Sequence, residues 1–409
     1  MRALILAAGE GTRLRPLTSN IPKPMLPVAG KPYLRHLLRA LGAVGIEEAL
    51  MVVGWRSSRI REYFSDDKRS EGVRITFLEQ RERKGTAHAI SLGRDHLDGQ
   101  FLCVNGDVLV SEEDVRGIVN LAQQDSRNVL GAVRVNDPRR FGVIEQRDGK
   151  LVSIEEKPET PRGDMINAGM MVLEPGIFRA IEETPLSRRG ELEITDTLSL
   201  LARRQEVLVY PLNGIWMDLA RPWDLLNANE LLMERIDGSA EGVVEEGAVL
   251  KGKVVVEEEA LIRSGSYIEG PAYISSGCDI GPNCHIRPST YLGEEVRVGN
   301  AVEVKNSIIM RGTKIPHHSY VGDSVIGERC NLGSGTKVAN LRLDGKLVEV
   351  ELEDGRLETG RRKLGVIMGD EVRTGINASI DVGTIIWERS FIGPGTVVRG
   401  NIGPGSLIL

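Results

Sequence analysis

The sequence predicts an α/β chain in two parts, a unit of alternating strands and helices over residues 1–236 and a parallel β-helix over 237–409. Two observations carry this. Up to about Met233 short β-rich runs alternate with segments of helical periodicity, and beyond Asp237 aliphatic residues recur every six positions. Length agrees: 409 residues are more than one core normally serves, since single domains rarely grow beyond about 250 residues.

The first unit reads in βαβ order. "RALILAAG" is a strand running into glycine, and Tyr33 to Ala43 is a helix with Leu34, Leu37, Leu38 and Leu41 on one face. "EALMVVG", "VRITFLEQ", "QFLCVNGD" and "VLGAVRV" are further strands, with helices around Ala87 to His96 and over Glu112 to Gln124 between them. That order implies a parallel sheet covered by helices, with ligands at the carboxyl ends of its strands.

In the second unit Val244, Leu250, Val256, Ile262, Ile268, Ile274, Ile280, Ile286, Leu292, Val298 and Val304 stand six apart, with Gly, Pro, Ser or Asn between them. Neither a helix nor a hairpin meander has that period. A parallel β-helix does, each hexad giving one short strand and one corner, so that the aliphatic column stacks into a core. The register returns at Ile309, Ile315 and Val321, at Ile326, Leu332 and Val338, and at Met368, Thr374, Ile380, Ile386, Ile392 and Val398. The steps Val304 to Ile309 and Val321 to Ile326 are each one residue short. From Leu341 to Leu364 the pattern fails, and the segment reads as a hairpin turning at Asp354-Gly355 and thrown out from the coil. Two of the six histidines, His317 and His318, lie in "IPHHSYVGD" among these irregularities.

With 41% hydrophobic residues, 27% charged residues and a net charge of -6, the chain has the balance of an ordinary soluble protein and no basic footprint for nucleic acid. No run approaches the roughly 20 apolar residues of a membrane span, and "ALILAAG" is too short for a signal peptide. Cys103, Cys278, Cys284 and Cys330 lack metal-site spacing, so buried, reduced thiols in a cytoplasmic protein are expected.

"LILAAGEGTRLRP" is a strand followed by a glycine loop that lacks the third glycine of a dinucleotide fingerprint and the Gly-Lys-Ser/Thr of a P-loop. Prolines in "IPKPMLPVAGKP" stiffen a second loop around Lys23. Glycines let backbone N–H groups approach phosphate, and Arg13 and Lys23 supply fixed positive charge where pyrophosphate would leave.

"LAAGEGTRLRPLTSNIPKPMLPVAGKP" closely resembles the signature of sugar-1-phosphate nucleotidylyltransferases, and the resemblance runs through the first half. It implies a Rossmann-like domain with a mixed sheet. Leu6, Ala8, Gly9, Gly11 and Thr12 would bind the nucleotide, with Gln80 pairing to the pyrimidine edge and Gly85 and Thr86 against the base. Asp107 in "VNGDV" and Asp218 in "WMDLARP" would hold Mg²⁺, while Gly142, Glu156, Lys157 and Asn167 would meet the sugar phosphate.

The second half resembles the acetyltransferase part of the bifunctional enzymes that make UDP-N-acetylglucosamine, and is closest to the archaeal-type nucleotidylyltransferase/acetyltransferases. The resemblance implies a left-handed coil of three hexads per turn, a homotrimer, and acetyl-CoA as cosubstrate. It makes His317 the general base and has Arg287, Lys305, Tyr320, Asn331, Asn340 and Lys346 bind the acetyl acceptor, with His318 structural or partly exposed. Because "GTRLRPLT" looks more like thymidylyltransferases, UTP and dTTP both stand as donors. Glucose 1-phosphate and N-acetylglucosamine 1-phosphate both stand as nucleotidyl acceptors, and glucosamine 1-phosphate and galactosamine 1-phosphate as acetyl acceptors. The competing readings are a nucleotidylyltransferase whose β-helix only assembles the oligomer and a non-catalytic scaffold or regulatory subunit with a dead transferase fold, against which the intact Arg13, Lys23, Asp107 and Asp218 argue.

Overall fold

A computed structural model describes every residue except Ser126, Glu353 and Asp354, and of Asp67 and Asp125 only the backbone. The chain forms two compact units, one of residues 1–10, 22–25 and 33–218, the other of 11–21, 26–32 and 219–409.

The first unit is built on a nine-stranded sheet. Arg74–Glu79, Glu48–Val53, Arg2–Ala7 and Phe101–Asn105 lie side by side and parallel, as βαβ order demands. The sheet then turns mixed. Met165–Leu173 runs antiparallel to both Phe101–Asn105 and Asn128–Arg134, and Val207–Pro211 continues parallel to the latter. A hairpin of Gly142–Arg147 and Lys150–Glu156 closes the far edge. The Tyr33–Ala43 helix has the expected bounds and buries Leu34, Leu37, Leu38 and Leu41, each worth about 1.5–3 kcal/mol by its removal from water. The helix expected around Ala87 to His96 is instead Thr86–Ser91 followed by a separate 3-10 turn, Arg94–His96. Gly93 separates them: a Cβ there would come within 2.9 Å of Leu97 Cδ1, and glycine is a poor continuation for a helix.

The second unit is a parallel β-helix with three strand-bearing faces. One face is a nine-stranded stack from Ser239–Ala240 to Asn401–Ile402, and another an eight-stranded stack from Val249–Lys251 to Val397–Val398. The remaining face breaks into five strands and three, bridged at Asn331, which pairs with Lys314 on one side and Arg373 on the other. The aliphatic column is the core: from Val256 to Val338 every position of the six-residue register is at most 1% exposed. Its first member, Val244, is 37% exposed because the stack begins there.

The shortened steps are tight corners at Lys305-Asn306-Ser307 and Gly322-Asp323-Ser324. Asn306 and Asp323 take φ of 45° and 50° there, a left-handed conformation that Asn and Asp tolerate better than other side chains. The ejected segment contains an antiparallel pair, Glu349–Leu352 with Gly355–Glu358; of its expected turn, Asp354 lies outside the described residues. The Asp224–Met233 helix belongs to this unit, where Asn229 donates to the Ser289 carbonyl and accepts from the Ala29 N–H. All four cysteines are free and buried, and burial pushes the Cys278 and Cys330 thiols up to about 12. Among the described residues no helix is long and apolar enough to cross a membrane.

Candidate functional site

Two groups of polar residues stand out, one in each unit. In the first, Val108–Val110 and Trp216–Asp218 form an antiparallel ribbon that sets Asp218 opposite Val108. That register brings Asp107 and Asp218 to the same end, and the Lys23 ammonium donates to both, at 2.5 and 3.3 Å. Burial alone would pull the Lys23 ammonium down, but the two carboxylates outweigh it and the net shift is upward. Lys23 is therefore charged at neutral pH.

Among the described residues no cluster of three or more metal-ligating side chains occurs. Two carboxylates converging on one point nevertheless suit Mg²⁺, which commonly takes one or two carboxylates and completes its shell with phosphate and water.

Gly9 is exposed and a Cβ there would meet nothing within 4 Å, so its backbone is open to a ligand. Leu6 and Ala8 belong to the same strand end. Gly85 has φ 104°, and a Cβ would strike the Leu192 carbonyl oxygen at 2.4 Å, so only glycine fits. Gln80 is buried, its amide nitrogen donating to the Gly85 carbonyl at 3.2 Å and meeting His88 Nδ1 at 3.0 Å. Thr86 accepts from the Ile194 N–H.

Strand register gathers the next set. Glu156 pairs with Gly142, and Ile166 with Val143, so Asn167 comes level with Gly142 from the other side. Lys157 meets Glu156 at 3.2 Å. Asn167 accepts from the Gly169 N–H at a break in its strand's pairing. Sequence reasoning missed three neighbours here. Arg189 binds Glu193 at 3.0 Å and lies 4.0 Å from Glu156. Burial first, then the Glu156 charge, pushes the carboxyls of Glu193 and Asp196 above their usual range.

Gly11, Thr12 and Arg13 belong to the second unit. Gly11, at φ 67°, opens a 3-10 turn, Thr12–Leu14, and Thr12 and Arg13 are exposed. Further along this loop Asn20 donates to Asp370 and Ser19 to Glu388, both at 3.1 Å. Burial pushes the Asp370 carboxyl upward, against bonds from the Glu328 N–H and Asn20.

In the β-helix, Lys305, Asn306, Asp323, Asn340 and Tyr320 form one bonded cluster. Asp323 is 2% exposed and accepts from Lys305 at 3.1 and 3.4 Å, from Asn306 at 2.8 Å and from Asn340 at 2.5 Å. Asn340 also donates to the Tyr320 hydroxyl at 3.1 Å. Burial pushes the Tyr320 phenol upward, with the Asn340 bond opposing it. Arg287 stands one coil below Lys305 and pairs with Glu303 at 2.9 Å.

His317 is exposed at the end of its own strand, Lys314–His317, on a different face from Tyr320–Gly322 and level with Asn300, and among the described residues nothing bonds its ring. His318 occupies the corner itself, at φ 48°, its N–H donating to the Asn300 carbonyl. Asn331 lies on a different face from the cluster, and Lys346 is exposed in the ejected segment.

Residues 2–235 match the nucleotidyl transferase family model, and residues 268–386 match the GMPPB C-terminal domain. The bifunctional protein GlmU of Methanocaldococcus jannaschii is 42% identical over 98% of this chain and 96% of its own length. The bifunctional sugar-1-phosphate nucleotidylyltransferase/acetyltransferase of Sulfurisphaera tokodaii is 41% identical over 99% of both. The chain belongs to this family of bifunctional nucleotidylyltransferase/acetyltransferases. Among solved structures, a UDP-glucose pyrophosphorylase complexed with UDP-glucose superposes with a TM-score of 0.53 at 25% identity, covering 57% of this chain and 99% of that one.

Asp323, Asn306 and Glu303 carried a signal that sequence reading passed over. Asn306, Asp323 and Asn340 are 17 apart, one coil at the shortened corners, and Glu303 stands two residues before Lys305. The contacts of Asn20 and Ser19 cross 350 and 369 residues with no pattern to mark them.

Proposed function

We propose that the chain carries out two consecutive transfers. Residues 237–409 move an acetyl group from acetyl-CoA to the amine of glucosamine 1-phosphate, and residues 1–236 move a nucleotidyl group from UTP, or dTTP, to N-acetylglucosamine 1-phosphate or glucose 1-phosphate, releasing pyrophosphate. The observation that carries the nucleotidyl reading is the Lys23 ammonium held between Asp107 and Asp218.

In that transfer a sugar phosphate oxygen attacks the α-phosphorus in line and pyrophosphate departs, so the protein's work is positioning and neutralisation of charge. Lys23 and Arg13 offset the growing negative charge on the leaving group. Gly9 and Gly11 offer backbone N–H groups to the triphosphate, with Leu6, Ala8, Thr12, Gln80, Gly85 and Thr86 around the nucleotide. Lys157 holds the sugar phosphate, and Glu156, Asn167 and the Gly142 backbone meet the sugar. Asp107 and Asp218 would hold Mg²⁺, which when bound supplies further neutralisation of phosphate charge.

In the acetyl transfer the amine attacks the thioester carbonyl and must shed a proton. A neutral imidazole can take it, and His317 is the residue assigned. Lys305 and Arg287 bind the acceptor phosphate, Tyr320 and Asn340 orient the amino sugar, and Asn331 and Lys346 complete the acceptor contacts. Galactosamine 1-phosphate fits the same chemistry. We further assign a cytoplasmic homotrimer formed through the β-helix.

One observation favours the narrower reading, nucleotidyl transfer alone: the His317 ring lies outside the bonded cluster. Incubation with acetyl-CoA, each amino-sugar phosphate and each nucleotide, with products identified by mass, separates the two. UDP-N-acetylglucosamine from glucosamine 1-phosphate supports both transfers; unacetylated acceptor with no thiol release overturns the acetyl transfer.

A further inference from the structure

Asp323 is the most buried charge in the acceptor corner of the β-helix. A carboxylate withdrawn from water is tolerated only when paired and hydrogen-bonded, and Asp323 meets that demand through three side chains from the two neighbouring levels of the coil. Lys305 and Asn306 come from one coil before it, and Asn340 from one coil after. The two shortened corners, Lys305-Asn306-Ser307 and Gly322-Asp323-Ser324, stack one coil apart, with Asn306 and Asp323 each in the left-handed region. The corner serines lock the stack: Ser307 Oγ accepts from the Ser324 N–H at 3.1 Å while donating to the Lys305 carbonyl at 2.7 Å.

The cluster is also anchored from behind. Asn306 donates to Glu230 of the Asp224–Met233 helix at 2.7 Å, and Glu230 accepts from Arg361 at the base of the ejected segment at 2.6 Å. Asp323 is thus fixed on one side, while the groups it holds on the other reach outward. The Lys305 side chain is 20% exposed against 2% for Asp323, and Asn340 extends the network to the Tyr320 hydroxyl.

We propose that Asp323 is a positioning residue for the acetyl acceptor: its carboxylate fixes the Lys305 ammonium and the Asn340 amide, and through Asn340 the Tyr320 hydroxyl, in the arrangement that receives an amino-sugar phosphate. The proposal rests on the acetyl-transfer reading above. Asp323 touches neither reacting atom. Its effect falls on acceptor binding, because the ammonium loses the charge that holds it when the carboxylate becomes an amide.

The test is Asp323→Asn in the full-length protein, with acetyl transfer followed by thiol release, nucleotidyl transfer by pyrophosphate release, and glucosamine 1-phosphate binding by calorimetry. The KM for glucosamine 1-phosphate should rise roughly tenfold or more, the size expected for losing a hydrogen bond to a charged group. The kcat should change much less, and nucleotidyl transfer should stay at the wild-type rate. Asn306→Ala, which keeps the carboxylate and removes one donor, should raise the same KM by a smaller factor. An Asp323→Asn KM within twofold of wild type overturns the proposal, as does loss of both activities together, which would mark Asp323 as merely structural. Wild-type protein that binds glucosamine 1-phosphate without acetylating it overturns the acetyl-transfer reading instead. The binding comparison between wild type and Asp323→Asn then still decides the role of Asp323.

Discussion

The two units assemble their polar clusters by opposite means. In the first, Lys23 meets Asp107 and Asp218 across 84 and 195 residues, and nothing in the local sequence records that meeting. It depends on a two-stranded ribbon whose register sets Asp218 opposite Val108. In the β-helix the partners lie 17 or 18 residues apart, one turn of the coil. A solenoid turns sequence spacing directly into spatial contact, because each repeat touches only its neighbours. An α/β sheet does not, because the order of strands in space is not their order in the chain.

This contrast yields separable variants, beginning with the largest effect. His317→Ala should lower acetyl transfer by about 10²–10⁴, the usual contribution of a general base, with nucleotidyl transfer unchanged in a pyrophosphate-release assay. A damaging His318→Ala beside a harmless His317→Ala would show that the corner residue, not its neighbour, serves the chemistry.

Asp218→Ala should do the reverse, lowering pyrophosphate release by about 10²–10³, as for other lost electrostatic contributions to a transition state, and leaving thiol release intact. Full nucleotidyl activity in that variant would dismantle the site built around Lys23.

A smaller effect tests the solenoid's locality. Ile286→Ala removes a fully buried member of the column directly beside Arg287 and should cost about 2–5 kcal/mol, read as a fall in the melting temperature of the β-helix. Acetyl transfer should fail at a lower temperature than nucleotidyl transfer. Simultaneous loss would mean that the two units melt as one.

The smallest effect concerns Glu193, whose carboxyl is raised by burial and by Glu156. A carboxyl raised on folding contributes stability that is full below its unfolded value, near 4.3, and is lost as pH rises through the folded value. Glu193→Gln does not titrate, so its melting temperature should gain on wild type as pH rises from 4 to 8. A gain in the opposite direction would make the Arg189 ion pair the dominant interaction.

How much could be read in advance follows the same division. The six-residue register predicted the buried column from Val256 to Val338, and the two shortened steps marked the corners that hold Asn306 and Asp323. His317 and His318 stand at an ordinary six-residue corner, with His318 as its left-handed residue. In the first unit the periodicity of Leu34, Leu37, Leu38 and Leu41 gave the helix its bounds, and βαβ order gave the parallel half of the sheet. The antiparallel placement of Met165–Leu173, which brings Asn167 beside Gly142, had no local signature. Neither did the attachment of the Gly11 loop to Asp370 and Glu388, since side-chain bonds across such separations leave no period in a sequence.

The central claim, two transfers housed separately in one chain, is tested most directly by mixing. His317→Ala and Asp218→Ala proteins, each alone, should convert glucosamine 1-phosphate, acetyl-CoA and UTP into UDP-N-acetylglucosamine at no more than about a hundredth of the wild-type rate. An equal mixture should restore most of that rate, because each supplies the step the other lacks. A rate from either variant alone equal to that of the mixture, or a mixture no faster than its parts, would contradict the account.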